Sequence, residues 1–238
     1  MNIGILYIGI GEKYFSLYHD FKESFDKFFL PNHNKYYFII TDKEYKYVLH
    51  EKETRIIVED EGWPYSTLKR FEYFLKCDTE GMDYLFYFNG NAICQHQVND
   101  EDIIPNEKDN WLCGCWASFL KNQQPYDENP KSACYLKTDI PSSFRGGLLG
   151  GRRNEFIKMC KSCVDMIEFD LSMNYIPKWH DEAYFNKYVY YLNIKKIKID
   201  IFSYFNFKKN YPKIYLRNKE KIFGKEYLIN HKGKDYYR

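Results

Sequence analysis

The chain has 238 residues, is 45% hydrophobic and carries a formal net charge of +2. That length and apolar content support one large domain or two small ones around a real core. The near-balanced charge excludes a polyanion binder acting through the whole chain.

Ile3–Ile8 is a continuous apolar run that stops at Gly9 and Gly11, as a buried parallel strand feeding a loop would. No basic segment precedes it, so the start reads as a first strand and not as a signal peptide. From Tyr14 to Phe29 apolar residues recur at helical spacing. Tyr36–Thr41 and Thr54–Val58 are the second and third strands. After Gly62-Trp63-Pro64, Ser66 is the expected N-cap of a helix whose stripe is Leu68, Phe71 and Leu75. Arg70 lies off that stripe and is not needed for packing.

Asp83–Phe88 is the fourth strand and ends at Asn89-Gly90-Asn91. Strands alternating with helices predict an α/β domain with a mainly parallel central sheet flanked by helices. Ligands of such sheets bind beyond the carboxyl ends of the strands, where Tyr7–Tyr14 and Asn89–Asn91 both fall.

Residues 100–145 read as loop-rich. The paired glycines Gly146-Gly147 and Gly150-Gly151 follow, then helices over Asn154–Phe169 and Trp179–Tyr191. Seven cysteines, an odd number in a chain too long to need staples, predict a reduced, cytoplasmic setting. Cys113, Cys115, Cys160 and Cys163 have the chemistry of a zinc site. Cys160 and Cys163, however, fall at core positions of a predicted helix, where cysteine acts as a small hydrophobe. No apolar run has the length of a membrane span.

Residues 205–238 hold ten basic side chains (Lys208, Lys209, Lys213, Arg217, Lys219, Lys221, Lys225, Lys232, Lys234 and Arg238) against three acids (Glu220, Glu226 and Asp235), so a +7 tail follows a −5 body. Such a tail suits a phosphate-bearing ligand, a membrane surface or nucleic acid, or is a solvated terminus.

Three segments offer chemistry. Asn-Gly after a strand is a hairpin turn or a variant of the Asp-X-Asp motif, which holds a metal-bound diphosphate in nucleotide-sugar transferases. Amide oxygens are weak ligands for Mg²⁺ or Mn²⁺. In the second reading, cations such as Arg70 and the basic tail therefore meet the diphosphate charge. His180-Asp181-Glu182 is either a cluster favouring a helix start or a carboxylate facing an anomeric carbon. The paired glycines are turn punctuation or let a ligand approach the backbone.

Taken together, Gly62-Trp63-Pro64 with Thr67–Phe71, Asp83–Asn91, Gly146–Gly151, and Trp179–Glu182 with Asn186-Lys187-Tyr188 resemble glycosyltransferase family 6. That family includes the histo-blood group A and B transferases and the α-1,3-galactosyltransferase. The likeness is to its short bacterial members. The opening Gly4–Ile8 and Lys13-Tyr14 fit too.

The resemblance implies a GT-A catalytic domain over residues 1–204 and a basic tail, 205–238, that closes over the donor. The implied enzyme is a retaining, metal-independent hexosyltransferase that takes sugar from UDP-GalNAc or UDP-Gal to the 3-hydroxyl of a plain or fucosylated β-galactoside. It implies no cofactor and no nucleic-acid partner. Glu182 matches the catalytic carboxylate. Tyr7, Ile8 and Tyr14 match the uridine pocket. Arg70, Asn89, Asn91, Gly146, Gly147, Asp181, Arg217, Lys219 and Lys221 match the rest of the donor site, and Trp116, Trp179 and His180 the acceptor side. Glycine at 147 leaves room for an N-acetyl group and implies UDP-GalNAc, the blood-group-A-like donor.

The sequence departs from the family at Arg145, at Tyr126–Asn129, at Cys113–Trp116 and around Phe202–Phe205. A galactosyltransferase of the same fold and a non-catalytic glycan-binding protein on a decayed transferase fold are the alternatives.

Overall fold

A computed structural model describes residues 1–118, 126–137, 142–204 and 211–232. The expectations placed on Lys208, Lys209, Lys234, Asp235 and Arg238 lie outside the described residues.

In chain order the elements are β1 (Asn2–Ile8), α1 (Glu12–Phe15), α2 (Tyr18–Phe28), β2 (Asn34–Thr41), β3 (Glu53–Ile57), α3 (Tyr65–Leu68), α4 (Arg70–Leu75), β4 (Tyr84–Phe88) and β5 (Ala92–Cys94). Then come α5 (Asp100–Ile103), β6 (Leu112–Ser118), β7 (Ser142–Arg152), α6 (Arg153–Ser172), α7 (Asp181–Val189), β8 (Lys195–Ile197), β9 (Phe202–Ser203), β10 (Ile214–Leu216), α8 (Lys219–Phe223) and α9 (Lys225–Lys232).

Seven strands form one sheet in the order β3-β2-β1-β4-β7-β6-β8. β1 to β4 are mutually parallel, β7 runs antiparallel to β4 and β6, and β8 runs parallel to β6. Both faces are covered, which is why β1 and β4 are apolar without a break. Alternation along the strands sorts their side chains. Leu6, Phe38, Leu85 and Tyr87 enter one core with Phe74 of α4, Phe156 of α6 and Tyr184 of α7. Ile5, Tyr7, Ile39, Phe86 and Phe88 enter the other with Phe21 and Phe25 of α2. A second sheet, β5-β10-β9, ties the start of the tail to the body.

The structure corrects several expected elements. The predicted first helix is broken after Phe15, and α2 starts beyond Leu17. Ser66 is not an N-cap but lies inside α3, after Pro64, and no side chain caps that helix. The loop-rich middle contains β6. The paired glycines are not turns but the body of β7; Gly150 and Gly151 are paired on both sides, which overrides their poor strand propensity. Cys160 and Cys163 fill one core while Cys113 and Cys115 fill the other. The structure thus does not bring together the four thiols of the drawn zinc site, and all seven cysteines are free and buried. Among the described residues, no helix is long and apolar enough to cross a membrane.

Candidate active site

β1 and β4 are parallel neighbours, so Ile8 and Phe88 end on the same edge of the sheet. The chain turns there. The Ala92 amide donates to the Asn89 carbonyl at 2.8 Å, which closes a tight turn over Asn89–Ala92. This is no hairpin, because β5 pairs with β10 and not with β4. The Asn89 amide donates to the Gly147 carbonyl at 3.0 Å, and its side-chain oxygen accepts from the Tyr87 hydroxyl at 2.9 Å. Asn91 fastens the tail: its side-chain amide donates to the Arg217 carbonyl, and the Arg217 amide returns a bond to the Asn91 carbonyl at 2.9 Å.

Opposite this turn the β7 ladder is interrupted. The register with β6 passes from Gly114↔Leu149 to Cys115↔Arg145, leaving Gly146, Gly147 and Leu148 without β6 partners. Site side chains take up the backbone groups so released. The Gly146 amide donates to Glu182 Oε1 at 2.8 Å, and the Gly146 carbonyl accepts from Arg70 Nη1 at 2.7 Å. A Cβ at Gly146 would stand 3.0 Å from both Arg70 Nη1 and Glu182 Cγ, so the close approach requires glycine.

Arg70 Nη1 also lies 3.0 Å from Asp181 Oδ2, and its guanidinium sits 4.8 Å above the Tyr87 ring. Asp181 and Glu182 open α7, yet their carboxylates reach across to Arg70 and Gly146. Asn186 holds that helix in place. Its side-chain amide donates to the Phe144 and Glu182 carbonyls and its oxygen accepts from the Phe144 amide, each at 2.8 Å.

Burial pushes the Asp181 carboxyl up to about 7; Arg70 opposes the rise and Glu182 adds to it. Glu182 is raised by the same burial, against the Gly146 amide and the charges of Arg70 and Arg145. Below about pH 7 Asp181 takes a proton and loosens Arg70. The expected result is an acid limb in kcat/KM near that pH for whatever reaction this site carries. Asp181→Asn should lack it; a limb that persists in the variant assigns it to another group.

Ile8, Tyr14, Arg70, Asn89 and Lys219 line one pocket. Arg70, Asn89, Asn91, Glu182, Arg217 and Lys219 line an adjoining cleft of about 400 Å³. Gly146, Gly147 and Asp181 line neither space; they adjoin the lining through their contacts with Glu182, Arg70 and Asn89. Five buried polar atoms here have no hydrogen-bond partner, namely Arg70 Nε, Asn91 Oδ1, Arg217 Nε and Nη2, and Asp181 Oδ2, which is ion-paired with Arg70. Buried polar groups are normally satisfied, so this concentration marks the place for a polar ligand.

Other expected residues stand elsewhere. Tyr7 does not line the pocket; it is fully buried, its hydroxyl donating to the Tyr14 carbonyl at 2.7 Å. Trp116 packs on Phe144 and lies under Lys196, while Lys178 covers Trp179. Lys221 is exposed on α8. His180 does not line the cleft, but its ring meets edge-on, at 4.7 Å, that of Trp63, which does.

Trp63 and Tyr204 line the cleft and were not among the expected site residues. The Gly62-Trp63-Pro64 segment was the signal for the first. Nothing local marks the second.

Comparison with known proteins bears on the family of the chain. The model of glycosyltransferase family 6 matches residues 1–213. The O-antigen biosynthesis glycosyltransferase WbnI of Escherichia coli is 32% identical over 80% of the chain and 83% of its own length. Glycosyltransferase 6 domain-containing protein 1 of Rattus norvegicus is 24% identical over 73% of the chain, which spans 58% of that relative.

Proposed function

The chain belongs to glycosyltransferase family 6, and on that premise we propose that it is a retaining hexosyltransferase of GT-A type. It takes GalNAc from UDP-GalNAc to the 3-hydroxyl of a β-galactoside, plain or fucosylated, on a glycan of the O-antigen kind. The observation that carries this reading is the meeting of Glu182, Arg70 and Asn89 in one cleft with unsatisfied buried polar atoms.

Glu182 faces the anomeric carbon and meets its positive charge, by attack or by electrostatics. Arg70, Lys219 and Arg217 meet the charge developing on the leaving diphosphate, with the tail closing over the donor. The strand end presents Asn89 and Asn91 where a divalent ion would need carboxylates, and Asp181 and Glu182 are engaged with Arg70 and Gly146. This donor set does not fit a tightly held metal.

A second reading, transfer of Gal from UDP-Gal, is favoured by one observation: the Tyr204 hydroxyl fills the room expected beside Gly147.

The test is incubation in EDTA with UDP-GalNAc or UDP-Gal and a panel of β-galactosides, followed by mass spectrometry. Transfer in EDTA is expected. Strict Mn²⁺ dependence overturns the metal-free mechanism. Glycan binding without turnover for any pair favours a binding protein on a decayed transferase fold.

A further inference from the structure

The bulge glycines leave a volume that one tyrosine occupies. The Tyr204 hydroxyl lies 2.5 Å, and its Cζ 2.9 Å, from where a Cβ on Gly147 would stand. No side chain fits at 147 while Tyr204 is in place. The ring is held from two sides: the Arg145 guanidinium lies 5.0 Å from its centroid, and Phe202 meets it at 5.9 Å and 90°.

Tyr204 lines the same cleft as Glu182, Arg70 and Asn89. Burial and the nearby Glu182 charge keep its phenol protonated. Glu182 grips Gly146 while Tyr204 covers Gly147, so the two side chains hold adjacent residues of the bulge. Adjacent Cα atoms are about 3.8 Å apart. That spacing is comparable to the reach from a reacting ring carbon to the substituent on its neighbour.

We propose that Tyr204 forms the wall of the sugar subsite, and that its bulk, not the glycine at 147, sets how large a substituent the transferred sugar carries. This rests on the reading of the cleft as the donor site with Glu182 at the anomeric carbon. Gly147 is then glycine to admit Tyr204, and the position of the tyrosine decides how much of that space the substituent of the sugar reaches.

The test compares Tyr204→Ala, Tyr204→Phe, Gly147→Ala and the double variant Tyr204→Phe/Gly147→Ala with the wild type. It measures kcat/KM with UDP-GalNAc and with UDP-Gal, and UDP affinity by calorimetry. Tyr204→Ala is expected to raise the GalNAc:Gal ratio about 10-fold, the scale of one small group gained or lost in a pocket. Its UDP affinity is expected to stay unchanged.

Tyr204→Phe keeps the ring packing and removes the hydroxyl nearest Gly147 together with its hydrogen bond to that backbone, so it carries the test even where the alanine variant folds poorly. It should shift the ratio the same way by a smaller factor. Gly147→Ala should lower the ratio by pushing the tyrosine into the cleft, and Tyr204→Phe should relieve that effect in the double variant. A ratio unmoved in all four variants, with transfer and UDP binding intact, overturns the proposal. A wild-type protein that neither binds UDP nor transfers either sugar overturns the donor-site reading beneath it.

Discussion

Glutamine at position 182 is expected to lower kcat about 10³-fold while leaving UDP affinity nearly unchanged. The substitution keeps the shape of the side chain and an oxygen able to accept from the Gly146 amide, which lies 2.8 Å from Oε1. What it removes is the charge. A carboxylate about 4 Å from a developing unit positive charge contributes roughly 4 kcal/mol at an effective dielectric of 20, which is close to three decades of rate.

Because the diphosphate is to be met by Arg70, Arg217 and Lys219 on other elements, the ground-state hold on UDP should survive. Single-turnover transfer from UDP-sugar, set beside calorimetric UDP binding, separates the two. Equal losses in both would mean that the variant has disturbed the cleft as a whole. Unchanged turnover would remove Glu182 from the chemistry.

The parts of this site that could be read from sequence are those fixed by local pattern. Continuous apolar runs marked β1 and β4, and their shared direction put Ile8 and Asn89 on one edge. Arg70 stood out because it lay off an apolar stripe. Its partner Asp181 enters from a helix far along the chain, and no local pattern joins the two.

Tyr7 belongs to the core and not to the pocket. Side chains alternate along a strand, so with Ile8 at the pocket, Tyr7 faces the core against Phe21. β6 is hard to read because Leu112–Ser118 mixes Cys, Gly, Ala and Ser around a single strand-favouring Trp. At Gly146 and Gly147 the sequence marks a close approach to the backbone but not what approaches. Their purpose appears once the β6 register slips and frees their backbone for Glu182, Arg70 and Tyr204. Tyr204 needed the most tertiary knowledge, since it follows β9 of the second sheet and meets Gly147 and Arg145 of β7 only through its side chain.

Arg70→Ala should be the most damaging single change to the fold at this site, at about 3–5 kcal/mol, the usual cost of leaving one member of a buried ion pair alone. Arg70 is 7% exposed and Asp181 is 2% exposed. Truncation leaves the Asp181 carboxylate buried beside Glu182 with its chief positive neighbour gone. The loss should depend on pH, with a definite sign.

The Asp181 carboxyl already sits near 7 in the folded chain, against about 3.9 when unfolded, and losing Arg70 raises it further. Between those values the folded state binds the extra proton, so stability rises as pH falls and the charged carboxylate penalises the fold above about pH 7. Urea unfolding at pH 8 and at pH 6 should therefore show a larger deficit for Arg70→Ala at pH 8. Arg70→Ala/Asp181→Asn should recover most of that deficit without recovering transfer, because the cation for the diphosphate is still missing. A deficit that is the same at both pH values and indifferent to Asp181→Asn would place the instability in lost packing over Tyr87 and not in the buried charge.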